Sequence, residues 1–180
     1  PPILKLHARP IPQGLDAADI GEAVADVPGA ELLRDLRLYL AVQVPAQRLR
    51  HVEDRARLAR AHIEKALREL GRERLDIVHI HAARVADPFV ERAAVLEELL
   101  RLKEEGKIAH VGLSSHYISA IRKAAAHPEI EVLHPLINQT GMGILDGSAM
   151  EMAEAITEAS RPGKGLYAMK ALGGGYLINQ

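Results

Sequence analysis

The chain predicts an α/β fold in which parallel strands alternate with helices, the arrangement of (β/α) TIM-barrel units. Three observations carry that expectation. Strand-like apolar runs and helix-period patterns alternate about five times along the 180 residues. The central run, Arg74-Leu75-Asp76-Ile77-Val78-His79-Ile80-His81, is short, apolar and β-branched in the middle, as a strand buried on both faces should be. No G-x-G-x-x-G follows the first strand, so the fingerprint of an open dinucleotide-binding sheet is missing. Alternation alone fits an open doubly wound sheet as well as a closed barrel; the missing fingerprint favours barrel units.

The elements follow in order. Residues 1–15 are proline-rich around a short strand candidate, Ile3 to His7, and Asp16 can cap a helix to Val27 that Pro28-Gly29 breaks. Leu36 to Val44 reads as a strand closed by Pro45. Val52, Ala56, Ala59, Ile63, Ala66, Leu67 and Leu70 step by threes and fours, one face of a helix ended by Gly71. After the His81 strand, Asp87-Pro88 opens a helix carrying Leu96, Leu99 and Leu100 to Gly106. Ile108 to Leu113 is a strand, Ser115 caps a helix with Ile118, Ile121 and Ala125, and Ile130 to Ile137 is a strand again. Ser148-Ala149-Met150-Glu151 is a capping box for a helix burying Met152, Ala155, Ile156 and Ala159. Gly165 to Ala171 is the last strand, before Gly173-Gly174-Gly175.

Composition narrows the function. With 23 basic and 24 acidic residues the net charge is -1, so no global field recruits nucleic acid or an anionic membrane. The absence of cysteine removes disulfides, thiolate metal sites and cysteine nucleophiles, and suits a cytoplasmic location. No apolar run reaches the roughly 20 residues of a membrane span. Only 3% of residues are aromatic, too few for the stacking platforms of single-strand binders. The chain starts at Pro1 and stops soon after a glycine cluster, so both ends read as cut.

If every strand points its C-terminal end at one face, Gln43, His81, Ser114, Ser115, His134, Asn138 and Lys170 gather there with the glycines. His79 shares a strand face with His81 but lies deeper, as a satisfied interior histidine would. His116 is expected in the first turn of its helix, on the surface.

Three segments together resemble the aldo/keto reductase family. They are Ile63-Glu64-Lys65-Ala66-Leu67-Arg68-Glu69-Leu70-Gly71, then Leu75 to His81, then Lys107-Ile108-Ala109-His110-Val111-Gly112-Leu113-Ser114-Ser115-His116. The family shows a helix ending L-x-x-L-G, a strand D-x-x-x-x-H, and G-K-I-x-x-I-G-x-S-N. Tyr167-Ala168-Met169-Lys170-Ala171-Leu172-Gly173-Gly174-Gly175 is similar to the seventh strand of a bacterial branch. The resemblance implies an eight-stranded barrel, here a partial one of about five to six β/α units. It frames 1–180 as a single domain with a divergent segment at 1–30.

The resemblance further implies NADP(H) bound across the C-terminal face and hydride transfer to a small-molecule carbonyl, an aldehyde or ketone. Carried over by position, His81 is the catalytic histidine and Asp16 the aspartate of a faint D-T-A echo. Ser114 and Ser115 hold the nicotinamide carboxamide, helped by His134 and Asn138. Met169 lies against the nicotinamide ring, and Lys170, Leu172, Gly173 and Gly174 line the pyrophosphate path. Two departures predict impaired catalysis: Gln43 stands where the family has lysine, and the family's tyrosine is not matched. Two other readings compete. One is a metal-dependent hydrolase barrel using His79-x-His81, with His116, His134 and Asp146 as further ligands. The other is a non-catalytic barrel remnant. Unpaired edges at Leu36 to Val44 and Gly165 to Ala171 predict an edge-to-edge homodimer for the isolated chain.

Overall fold

The computed structural model describes residues 39–42 and 52–178, which lie within one compact unit. Five strands form one parallel sheet in sequence order: β1 (Tyr39–Val42), β2 (Leu75–Ala82), β3 (Ile108–Ser115), β4 (Val132–Pro135) and β5 (Gly165–Leu166). The connecting helices are α1 (Val52–Leu70), α2 (Pro88–Glu91), α3 (Ala93–Glu104), α4 (Ile118–Ala126) and α5 (Ala149–Ser160). Sequential parallel neighbours joined by helices are what right-handed β/α crossovers produce. β1 and β5 are the outer strands of the described sheet, the two that the sequence marks as edges.

Helix periodicity becomes core directly. Ala59, Ile63 and Leu67 of α1 are buried, and so are Val95, Leu96, Leu99 and Leu102 of α3. They pack in one cluster with Val78 and Ile80 of β2, Val111 and Leu113 of β3, and Ile121 of α4. Two helices stop by the same device. Gly71 and Gly106 adopt φ of +60° and +77°, and the next residue's N–H returns to the carbonyl of Leu67 or Leu102. α5 has the full capping box: Ser148 Oγ accepts the Glu151 N–H while the Glu151 carboxylate accepts the Ser148 N–H.

The structure differs from the sequence expectation in three places. The helix expected from Asp87 to Gly106 breaks at Arg92, whose φ of −124° and ψ of 17° leave the helical region. α4 starts at Ile118, and Asp146 on a distant loop caps it, accepting the N–H groups of Ile118 and Ser119 at 2.6 and 2.9 Å. Ser115 instead ties the end of β3 to β2, donating to the Ala82 carbonyl while accepting the Tyr117 N–H. The last strand is regular only at Gly165–Leu166. Beyond it, Tyr167 and Met169 still donate their N–H groups to Leu133 and Pro135, so the chain runs beside β4 as far as Met169.

Candidate active site

Register decides which side chains meet. His81 pairs with Ser114, and Ser114 with His134, so these three form a row across the C-terminal ends of β2, β3 and β4. His81 Nδ1 lies 3.0 Å from Ser114 Oγ, and Ser114 is buried. The row beneath contains His79, Gly112, Val132 and Gly165. Gly112 has a steric role here. A Cβ at that position would lie 2.6 Å from His79 Cε1 and 2.7 Å from the Val132 carbonyl oxygen, so only glycine lets the imidazole lie across the row.

His79 is fully buried and Tyr167 Oη lies 2.8 Å from its Nε2. The Tyr167 ring stacks on His134, centroids 4.1 Å apart, and meets His79 edge-on at 5.5 Å. Burial, reinforced by the neighbouring His134, pushes His79 down to about 3, so it is neutral at pH 7 and its Nε2 can accept a hydrogen bond from the Tyr167 hydroxyl. Tyr167 escapes a reading that looks only for the family's tyrosine. It could have been found by counting two residues back from Met169, which places both side chains on one strand face.

Above the row stands Lys170, a non-glycine residue at φ +56°, with Nζ 3.2 Å from His116 Nε2. Burial and then the Lys170 charge drive His116 down to about 4, so the imidazole accepts from the ammonium rather than repelling it. His116 is therefore half-buried and precedes its helix, contrary to the surface first-turn position expected of it. His81 is likewise held below the ordinary histidine value, by burial first and then by Lys170 and Arg92.

The remaining expected residues divide. Ser115 is buried on the helix side of the sheet, opposite Ser114, and its hydroxyl is engaged there. Asn138 joins two loops: its Nδ2 donates to the carbonyls of Met142 and Lys170, and its Oδ1 accepts from Thr140 and Met142. Met169 is half-buried beside Leu136, Leu172 and Gly174 are exposed, and Gly173 is packed against Leu177. Gln43 and Asp16 lie outside the described residues. The metal reading does not assemble. His79 is bonded to Tyr167 and Asp146 caps α4, and among the described residues no group of three or more His, Asp or Glu side chains could hold a metal ion.

The sequence profile of the Aldo/keto reductase family matches residues 20–180. The chain belongs to the aldo/keto reductase family. A Pseudomonas aeruginosa aldo-keto reductase structure is 25% identical, covers 81% of this chain and 56% of its own, and superposes with a TM-score of 0.58. The holo form of a Bacillus halodurans aldo-keto reductase (18% identity) covers 90% of this chain and 50% of its own, TM-score 0.56. A Bombyx mori aldo-keto reductase in complex with NADP (13% identity) covers 84% and 46%, TM-score 0.52. These last two speak for the fold alone. The parallel sheet is thus part of an eight-stranded β/α barrel, and this aldo/keto reductase chain spans about half the length of the structures it matches. No helix among the described residues is long and apolar enough to cross a membrane.

Proposed function

We propose that this chain carries the mouth of an NADP(H)-dependent reductase of small aldehydes or ketones, with His81 as the residue that meets the carbonyl oxygen. The observation that supports it best is the His81–Ser114–His134 row at the strand ends, with the Lys170 ammonium above it. That is where a parallel barrel does its chemistry. The residues present fit the cofactor. Ser114 offers a hydroxyl for the carboxamide, and His134 and Met169 flank the place for the ring. Lys170, whose carbonyl accepts the Gly173 N–H, leads by a tight turn to Gly174 and Gly175, where a Cβ would meet nothing within 4 Å, so an anionic phosphate would have a charge and open backbone near it. Ser115 and Asn138 act in this reading by holding Ser114 and Lys170 in place.

When bound, the cofactor supplies hydride. The chain's own part is to orient the carbonyl and to face the oxygen as it gains negative charge. His81, neutral and held by Ser114, can direct an N–H at that oxygen, and the Lys170 charge favours the developing anion. Gln43 at the lysine position, and the unmatched tyrosine, make turnover slow. General acid catalysis is typically worth 10²- to 10⁴-fold. The barrel remnant is the same mouth with chemistry lost. Two outer strands also favour an edge-to-edge dimer of the isolated chain.

The test is transfer of deuterium from 4-deuterated NADPH to an aldehyde under single-turnover conditions. The reading expects slow label transfer, lowered further at least tenfold by His81→Ala. Transfer equal in wild type and His81→Ala, or none with the cofactor bound, would assign the chain to the remnant.

A further inference from the structure

We propose that Arg55 and Arg92 form an oxyanion site beside His81, and that it receives a carboxylate or phosphate carried by the carbonyl substrate. The site itself rests on geometry; the word substrate rests on the reductase reading above.

Two guanidinium groups converge on one neutral acceptor. Arg55 Nη1 donates to the Glu91 carbonyl oxygen at 2.9 Å, and Arg92 Nη1 approaches the same oxygen at 3.5 Å. Arg92 is only 8% exposed, and the buried Arg55 Nε has no hydrogen-bond partner. Among the described residues no carboxylate lies within ion-pair distance of either group, and the Glu91 side chain is exposed. Buried cations are ordinarily paired, and an unfilled buried donor is costly. The backbone adds to the imbalance. Arg92 is the N-cap of α3, its side chain makes no cap bond, and the first turn of α3 contains no acid. Two positive side chains therefore meet at one carbonyl beside the positive end of a helix, with only the exposed Glu91 carboxylate, not in ion-pair contact, acting on Arg92 from a distance.

An oxyanion completes this arrangement. It would accept from Arg55 Nε and from the remaining Arg92 N–H groups in the forked geometry that suits carboxylate and phosphate. Arg92 stands between the two helices that follow the C-terminal end of β2, and Arg55 lies in the first turn of the helix that follows β1. The Arg92 charge is felt at His81, so an anion here lies on the face where the carbonyl would react. Arg92 feels Arg55 in the same way, after its own burial. The competing explanation is that Arg55 merely caps the C-terminal end of the short helix α2. The two explanations differ in what loss of one arginine does.

Melting of the full chain is measured in a non-coordinating buffer with inorganic phosphate, 4-carboxybenzaldehyde or benzaldehyde. Phosphate and the carboxylated aldehyde should each raise Tm by about 2–4 °C near saturation, and benzaldehyde should not. Arg55→Gln and Arg92→Gln should each weaken that response at least tenfold in anion concentration. Without anion, Arg55→Gln should melt no lower than wild type, because one of two like charges has gone; a simple helix cap would make it melt lower. Equal responses in wild type and both variants, or no response in wild type, would overturn the site. Should the variants not fold, the wild type still decides. The His81 C2–H resonance should titrate at higher pH once phosphate neutralises Arg92, and an unmoved midpoint counts against the proposal. Adenosine 2′,5′-bisphosphate separates the sources: if it alone gives the arginine-dependent shift, the anion belongs to a nucleotide and the substrate assignment fails. NADPH binding is followed in parallel, and its loss with the phosphate response intact would sink the reductase reading and leave the site standing.

Discussion

The two ends of the sheet handle charge in opposite ways. At the N-terminal ends, near the α3–β3 turn, three cations share a network of carboxylates, while Lys164 beside β5 donates to the His127 and Ile130 carbonyls. Arg60 is bonded to Glu98 and Glu105, Arg101 to Glu98, and Lys107 to Glu64 and Glu105. At the C-terminal ends, Lys170 leans on a neutral imidazole and Arg55 and Arg92 share a carbonyl, while His81 and His116 are held neutral beside them. Paired charges of the first kind hold a fold together. Cations left facing neutral groups are suited to a ligand that brings the missing charge.

The largest effect should come from breaking the paired end. Glu98 is buried and is the acceptor that Arg60 and Arg101 share. Glu98→Ala leaves both without it and should cost about 2–4 kcal/mol in urea unfolding. A loss below roughly 0.5 kcal/mol would reduce the network to surface decoration.

Acid should separate the two ends. His79 titrates near 3 when folded and near 6.5 when unfolded, so its contribution is whole above 6.5 and falls away as pH drops towards 3. The slope per proton is about 1.4 kcal/mol per pH unit. Glu105 moves from about 4.5 unfolded to about 2 folded, held down by Arg60 and then Lys107, so its contribution fades only between those values. Stability should therefore begin to fall near pH 6 through the mouth, before the paired end titrates. His79→Phe should reduce the slope above pH 4.5 by up to about 1.4 kcal/mol per pH unit, leaving the part that His81, His116 and His134 supply. An unchanged slope there would remove His79 from the explanation.

The smallest effect on stability should be at Lys170, exposed and outside the core. Lys170→Met should change unfolding by no more than about 0.5 kcal/mol while moving the NMR titrations of His81 and His116 upward. A large loss of stability would make Lys170 a structural residue.

Much of this was legible from residue patterns. Helix stripes such as Ala59, Ile63 and Leu67, the Gly71 and Gly106 stops and the Ser148–Glu151 capping box are local, and local chemistry decides them. Strand alternation put His79 and His81 on one face and Ser114 in reach. What stayed hidden depends on contacts between distant segments. Asp146 caps α4 across 28 residues, Tyr167 reaches His79 across 88, and Gly112 is needed because a histidine on the next strand lies over it. Arg55 and Arg92 look like parts of solvated helix faces until the break after α2 brings them to one carbonyl.

The central claim is that the C-terminal mouth binds NADPH through Ser114, Lys170 and the glycines beyond it. The most direct measurement is equilibrium titration of the full chain with NADPH, followed by nicotinamide fluorescence. Saturable binding is predicted, weakened at least tenfold by Lys170→Glu and left unchanged by Lys65→Glu on the outer face of α1. No saturable binding, or equal affinity in Lys170→Glu, would contradict it.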